Sequence, residues 1–92
     1  MNKVIWKFKL EICDEQKILM PKGAKILSVQ QQAGELFLWA LYDPEKRKEE
    51  RIIYIYGTRN SIQNHPVRKF IGTVQTQNGF LVWHVFEASN ER

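Results

Sequence analysis

The chain has 92 residues, of which 43% are hydrophobic and 26% are charged, and its formal net charge at neutral pH is +4. This length predicts a single domain over residues 1–92, and the apolar fraction is too high for a disordered chain. The one cysteine, Cys13, excludes an intramolecular disulfide, and no apolar run reaches the ~18 residues that a membrane span needs. We therefore expect a cytoplasmic protein that does not enter a membrane.

The N-terminal half has the pattern of half-buried strands joined by turns. Along residues 6–12 the even-numbered side chains are apolar and the odd-numbered ones are charged, which is the period of a β-strand. Gly and Pro at 21–23 and Gly at 33–35 predict turns. The segment LFLWALYD at 36–43 is apolar on both faces, which indicates a central strand.

The C-terminal half continues the pattern after a charged interruption. The segment EKRKEER at 45–51 contains bases and acids in nearly equal number and predicts a solvated loop. A strand is expected at 51–58, which is rich in β-branched and aromatic residues. Asn78-Gly79 predicts a two-residue type I′ hairpin turn. In the strand after it, we expect His84 to be half-buried and hydrogen-bonded.

These segments together predict an all-β fold of about seven mainly antiparallel strands, since no window shows a convincing helical period. A small closed barrel and a two-layer sandwich both satisfy the pattern. Residues 88–92 follow the last predicted strand and are expected to form a flexible tail.

The sequence contains no pattern that points to catalysis, a metal or a cofactor. His65 and His84 do not have the spacing of a zinc motif. No G-x-S-x-G pattern surrounds a serine, and no phosphate loop of the G-x-x-x-x-G-K type is present. We expect a noncatalytic protein that uses no cofactor.

The segment 57–69 is the strongest candidate for a ligand site, although a long polar connector between two strands has the same composition. Its glycine permits close approach of a ligand to the backbone, its neutral side chains offer hydrogen bonds, and its arginines offer charge. These groups suit a small anionic ligand such as a nucleotide. The candidate ligand-binding residues are Gly57, Thr58, Arg59, Asn60, His65 and Arg68.

Two other binding functions are compatible with the sequence. The chain can be a protein-interaction module that docks to another protein through a strand edge or the apolar face of residues 36–42. It can also bind single-stranded nucleic acid, because aromatic and basic residues are adjacent at 6–9 and 68–70, although aromatics in alternating strands normally face the core. An exposed strand edge would also permit a homo-oligomer.

Several blocks of the sequence, in order, resemble a family of short bacteriophage and prophage proteins of unknown function. The blocks are MPKGAKILSVQ, LWAL, the GT after the fifth predicted strand, and FIGT followed by HVFE. The resemblance covers nearly the whole chain and implies a phage gene whose product acts in the host cytoplasm. It implies an accessory role, and some phage proteins of this size oppose host defence by sequestering nucleotide signals or blocking a defence protein. No catalytic residues follow from it.

Overall fold

A computed structural model describes residues 2–59, 61–62 and 68–88 of the chain. The segments rich in β-branched and aromatic side chains form seven strands within these residues, so the predicted all-β, antiparallel fold is confirmed. The strands are β1 (Val4–Leu10), β2 (Glu15–Pro21), β3 (Lys25–Gln32), β4 (Glu35–Tyr42), β5 (Lys48–Gly57), β6 (Arg68–Thr76) and β7 (Leu81–Ala88).

The strands form two antiparallel sheets and do not close into a barrel. The three-stranded sheet has the order β1-β4-β3, and the four-stranded sheet has the order β2-β5-β7-β6. β4 has a partner on each side, as its two apolar faces predict. The described residues extend over 42 × 34 × 15 Å, and the shortest dimension fits two stacked sheets about 10 Å apart. Of the two predicted arrangements, the structure has the two-layer one.

One apolar core lies between the sheets. Leu38 of β4 belongs to the same cluster as Ile53 of β5 and Val85 of β7, and all three side chains are 0% exposed. Burying a side chain of this size stabilises the fold by about 1.5 to 3 kcal/mol. The buried members of the core are Leu10, Met20, Ala24, Val29, Leu36, Leu38, Ile53, Ile55, Val74 and Val85.

The turn predicted at 33–35 joins β3 to β4. Gln32 and Glu35 are register partners, so Ala33 and Gly34 form a two-residue loop. Their φ angles are 53° and 82°. Positive φ at both central positions is the geometry of a type I′ turn.

The hairpin predicted at Asn78-Gly79 is present, but the prediction that its loop has two residues is wrong. Thr76 pairs with Leu81, so the connection from β6 to β7 has four residues. The Gly79 amide donates to the Thr76 carbonyl at 3.1 Å, and φ is positive at Gln77, Asn78 and Gly79. The buried Thr76 hydroxyl accepts a bond from the Trp83 indole at 3.1 Å, and this contact holds the register that the longer loop requires.

The charged segment 45–51 is only partly the loop that its composition predicts. β5 begins at Lys48, and residues 48–51 pair with residues 18–21 of β2. β5 is the only hydrogen-bonded strand neighbour of β2 among the described residues. The hydrogen bonds of this ladder outweigh the low strand propensity of the charged side chains. The predicted C-terminal tail falls outside the described residues except for Ala88, which ends β7.

Candidate functional site

A cleft of about 450 Å³ lies at the side of the molecule where β3 and β6 begin. The turn from β2 to β3 and the first residues of both strands form its rim. Arg51 of β5 and Glu87 of β7 also line it. A volume of this size is within the range of small-molecule sites.

Two β-bulges shape this cleft. The register of β3 against β4 shifts at Leu27, and the register of β6 against β7 shifts at Ile71. Both extra residues line the cleft. A bulge bends its strand and redirects the local side chains, and bulges are frequent beside functional sites. The pair of bulges is therefore the backbone feature that opens this end of the sandwich.

Just past the second bulge, the edges of β3 and β6 approach each other closely. A Cβ added to Gly72 would lie 2.9 Å from Val29 Cγ1, so only glycine fits without a shift. Val29 is 5% exposed and belongs to the core. The cleft thus ends against a tight contact between the two sheets.

An ion pair between Arg51 and Glu87 lines the cleft. The guanidinium donates to both carboxylate oxygens, with Nη2 to Oε1 at 3.2 Å, and Nη1 donates to the Ala24 carbonyl at 2.8 Å. Both side chains are 14% exposed. Three of the five guanidinium N–H donors are thereby used within the described residues, which leaves two for a ligand or water.

The lining of the cleft carries more positive than negative charge. Lys69 pairs in register with Glu87, so it lies on the inward side of the four-stranded sheet with Arg51. Lys25 lines the rim. Neither lysine has an ion-pair partner in the described part of the chain. Because Glu87 balances Arg51, the two lysine charges are available to an anion.

Gly57 and Arg68, two residues of the predicted ligand site, lie far apart in the structure. Gly57 pairs with Trp83, whereas Arg68 pairs with Ala88, five residues farther along β7, so their backbones are about 17 Å apart along the strand direction alone. Asn60 and His65 lie outside the described residues. Arg59 is an exposed turn residue with φ of 74°.

Gly57 and Thr58 line a separate depression of about 410 Å³ with the first residues of β7 and Phe80. The Thr58 amide donates to the Val82 carbonyl at 3.3 Å. Phe80 is 85% exposed, so the depression is bordered by a projecting aromatic ring. Neither Arg59 nor Arg68 lines it, and the described residues around it carry no charge. Gly57 and Thr58 therefore line this depression without either of the two predicted arginines.

Arg68 lies against aromatic rings on the outward face of the four-stranded sheet. Its Cζ is 5.9 Å from the centroid of Tyr54 and 5.7 Å from that of Tyr56, within the range of a cation–π interaction. The two tyrosine rings stack with centroids 6.4 Å apart. Burial raises the pKa of Tyr56 above its ordinary value of 10.0, and the Arg68 charge opposes that shift.

His84 is half-buried and hydrogen-bonded, as its position in the predicted strand suggests. Its Nε2 lies 2.8 Å from Thr58 Oγ1, and its Nδ1 lies 3.0 Å from Thr73 Oγ1. A hydroxyl can donate or accept, so either neutral tautomer satisfies both contacts. The histidine ties the end of β5 to β6 across β7, which is a structural role.

The described residues contain no cluster of three or more histidine, cysteine, aspartate or glutamate side chains that is arranged to hold a metal ion. Within the same part of the chain, there is no helix that is long and apolar enough to cross a membrane.

Comparison with known proteins identifies a family for this chain. A profile described as a domain of unknown function, DUF7352, matches residues 1–92. The chain belongs to the DUF7352 family. No curated protein and no solved structure gives a significant match.

In this DUF7352 chain, the residues that line the cleft could not be identified from sequence patterns. Arg51 belongs to a segment whose charges nearly cancel in the sequence, and Glu87 is far from it in the chain. Their contact depends on β5 pairing with β7, a non-local event. The Pro-Lys-Gly turn before Lys25 and the Gly72 after Ile71 are the local signals that accompany the site.

Proposed function

We propose that this protein is a noncatalytic binding protein whose ligand is a small anion of nucleotide size. The observation that carries the proposal is the cleft, where the uncompensated Lys69 and the two remaining Arg51 donors lie beside aliphatic side chains. Lysine and arginine recognise phosphate groups by charge and hydrogen bonding. Leu27 and Ile71 offer apolar contact to the rest of the ligand.

The groups around the cleft favour binding over catalysis. Its described lining has no serine, threonine, cysteine, tyrosine or histidine side chain. Its one carboxylate, Glu87, is held by two bonds from Arg51. A nucleophile next to a base is the arrangement that covalent catalysis needs, and this lining does not supply it. The ligand is therefore bound and released unchanged.

The biological setting that we propose is a bacteriophage or prophage, in whose host cytoplasm the protein acts as an accessory factor. The resemblance of its sequence blocks to short phage proteins supports this setting. Sequestration of a host nucleotide signal, and so opposition to host defence, agrees with a noncatalytic cleft for a small anion. A protein that acts by sequestration needs affinity and abundance rather than turnover.

Calorimetry and thermal-shift measurements with mononucleotides, dinucleotides and cyclic nucleotides test the proposal. We expect at least one ligand to bind with a 1:1 ratio and to raise the unfolding temperature. Lys69→Gln should weaken that ligand about 10-fold, the factor expected for loss of one charge-assisted hydrogen bond worth about 1.5 kcal/mol. Lys17→Gln, on the outer side of β2, removes the same charge and should leave the affinity unchanged.

A third variant, Arg59→Gln, distinguishes binding in the cleft from binding at the segment 57–69. If Arg59→Gln weakens the ligand and Lys69→Gln does not, the ligand lies beside Gly57 and Thr58 and the cleft is not the site. Absence of binding by the whole nucleotide panel at millimolar concentration would refute the proposed function.

A second candidate function is docking of a protein strand along β1. Among the described residues, this strand has a hydrogen-bonded neighbour on one side only, and Ile5 and Trp6 are 55% and 58% exposed. An unpaired edge with exposed apolar residues is a template for an added strand from a host protein, a phage protein or a second copy. Ile5→Lys should abolish such pairing. Sedimentation velocity detects a second copy, and affinity purification from infected cells detects another protein. This function is rejected if the protein sediments as a monomer and the purification retains no partner protein.

A further inference from the structure

The outward face of the three-stranded sheet carries two aromatic rings that the core does not use. Phe37 and Trp39 alternate along β4 with Leu36, Leu38 and Ala40, which are at most 1% exposed. Side chains alternate between the two faces of a strand, so Phe37 and Trp39 point away from the core. Both are half-buried, and neither belongs to the core cluster.

Basic and neutral polar residues flank the two rings. Register partners in an antiparallel sheet lie on the same face. Phe37 has Lys9 of β1 and Gln30 of β3 as its partners, and Trp39 has Lys7 and Ser28. We call this set the aromatic face; it consists of Lys7, Lys9, Ser28, Gln30, Phe37 and Trp39.

The ammonium group of Lys7 lies next to both rings. Its Nζ is 4.6 Å from the centroid of Phe37 and 5.9 Å from that of Trp39. The same group donates to the Gln32 side-chain carbonyl at 2.5 Å. An anionic group bound by Lys7 would therefore lie beside two aromatic surfaces at once.

The charges around the aromatic face favour an anionic partner. Among the outward-facing register partners of this sheet, Glu35 is the only acidic residue, and it pairs with Lys9 at 2.6 Å. Lys7 has no ion-pair partner in the described residues. The face thus combines excess positive charge with flat apolar rings, which a phosphate chain carrying aromatic bases complements.

We propose that the aromatic face binds single-stranded nucleic acid. Lys7 contacts a phosphate while successive bases stack on Phe37 and Trp39, which are about 6.7 Å apart along the strand. Ser28 and Gln30 supply hydrogen bonds to exposed base edges. A duplex hides its bases, so the face selects unpaired strands. This surface is separate from the cleft that Lys69 lines.

Fluorescence anisotropy with labelled dT12, U12 and a 12-base-pair duplex tests the inference. We expect both single strands to bind more tightly than the duplex, and their binding to weaken steeply between 50 and 200 mM salt. Trp39→Leu keeps the apolar bulk and removes the stacking surface, so affinity should fall about 10-fold. Lys7→Gln should lower both the affinity and the salt dependence.

Matched variants control for folding and for general effects of charge. Phe80→Leu removes an exposed ring elsewhere, and Lys17→Gln removes a cation on the outer side of β2; both should bind dT12 as the parent protein does. Far-ultraviolet circular dichroism verifies that Trp39→Leu retains the fold. Quenching of tryptophan fluorescence by dT12 should be present in the parent and weaker in Trp39→Leu.

Three results would overturn the inference. These are no binding of dT12 or U12 at 50 mM salt, equal affinity for the duplex, and unchanged affinity in both Trp39→Leu and Lys7→Gln. A loss of dT12 binding in Lys69→Gln alone would also overturn it, since the nucleic acid would then lie in the cleft.

Discussion

The Tyr56 hydroxyl is a buried polar group without a hydrogen-bond partner among the described residues. The residue is 7% exposed and lies in a cluster of rings that includes Tyr54 and Phe86. A buried hydroxyl that loses its water and gains no protein partner costs about 1 to 3 kcal/mol. Tyr56→Phe should therefore retain the ring contacts and increase the free energy of unfolding by up to about 1 kcal/mol at pH 7, as measured by urea denaturation.

The raised pKa of Tyr56 also predicts a pH dependence. Because the phenol ionises more easily in the unfolded chain, the native state holds more protons at alkaline pH, and the free energy of unfolding falls as pH rises above about 10. Tyr56→Phe should reduce this alkaline loss. A variant at position 56 that is less stable at pH 7 would show that the hydroxyl has a partner.

Replacing one partner of the Arg51–Glu87 ion pair should lower the free energy of unfolding more than replacing both partners with apolar residues. Removing one partner leaves a charge in a site that is 14% exposed. We expect Glu87→Gln to lower the free energy of unfolding by about 2 to 3 kcal/mol, and Arg51→Met combined with Glu87→Leu to recover part of it. Denaturation of Arg51→Met, of Glu87→Leu and of the variant that carries both changes measures the coupling. Additive losses would mean that the pair does not act as a unit.

At the level of elements, the approach of β6 to β3 depends on a missing side chain. A Cβ at Gly72 would lie 2.9 Å from Val29 Cγ1, and Val29 is buried in the core. Gly72→Ala should lower the free energy of unfolding by about 1 to 3 kcal/mol through overpacking. Adding Val29→Ala should restore part of that loss, because it removes the clashing methyl group; no coupling between the two changes would contradict the contact.

The same element pair connects stability to the proposed site. The bulges at Leu27 and Ile71 precede the tight contact in their strands, and both line the cleft. A shift of β6 away from β3 would widen the cleft and separate its two aliphatic walls. Gly72→Ala is therefore also expected to weaken a ligand held in the cleft, although it touches none of the charged groups.

At the level of the whole molecule, the two sheets share one core and should unfold together. Leu38 in the centre of the three-stranded sheet is 0% exposed and belongs to the same cluster as Ile53 and Val85. Leu38→Ala should cost about 2 to 5 kcal/mol, whereas Leu19→Ala at a 58% exposed position should change stability by less than about 0.5 kcal/mol. Tryptophan fluorescence and circular dichroism should give coincident transitions. Two separate transitions would show that each sheet folds independently.

The order of the strands in the sheets was not predictable from local patterns. Alternation along residues 6–12 and the doubly apolar 36–43 identify strands and indicate that β4 is central. Nothing local indicates that β7 lies between β5 and β6. That order places Gly57 and Arg68 at different ends of the sheet, so these two predicted ligand residues are not neighbours.

The sequence by itself determined the strand content, the turns at 21–23 and 33–35, and the hydrogen-bonded position of His84, because these depend on side-chain alternation and backbone preference within a few residues. Tertiary structure alone decided the two-layer arrangement, the contact of Arg51 with Glu87 and the positions of the bulges. These features arise from pairings between residues far apart in the chain, whose energies depend on mutual geometry that no short window encodes.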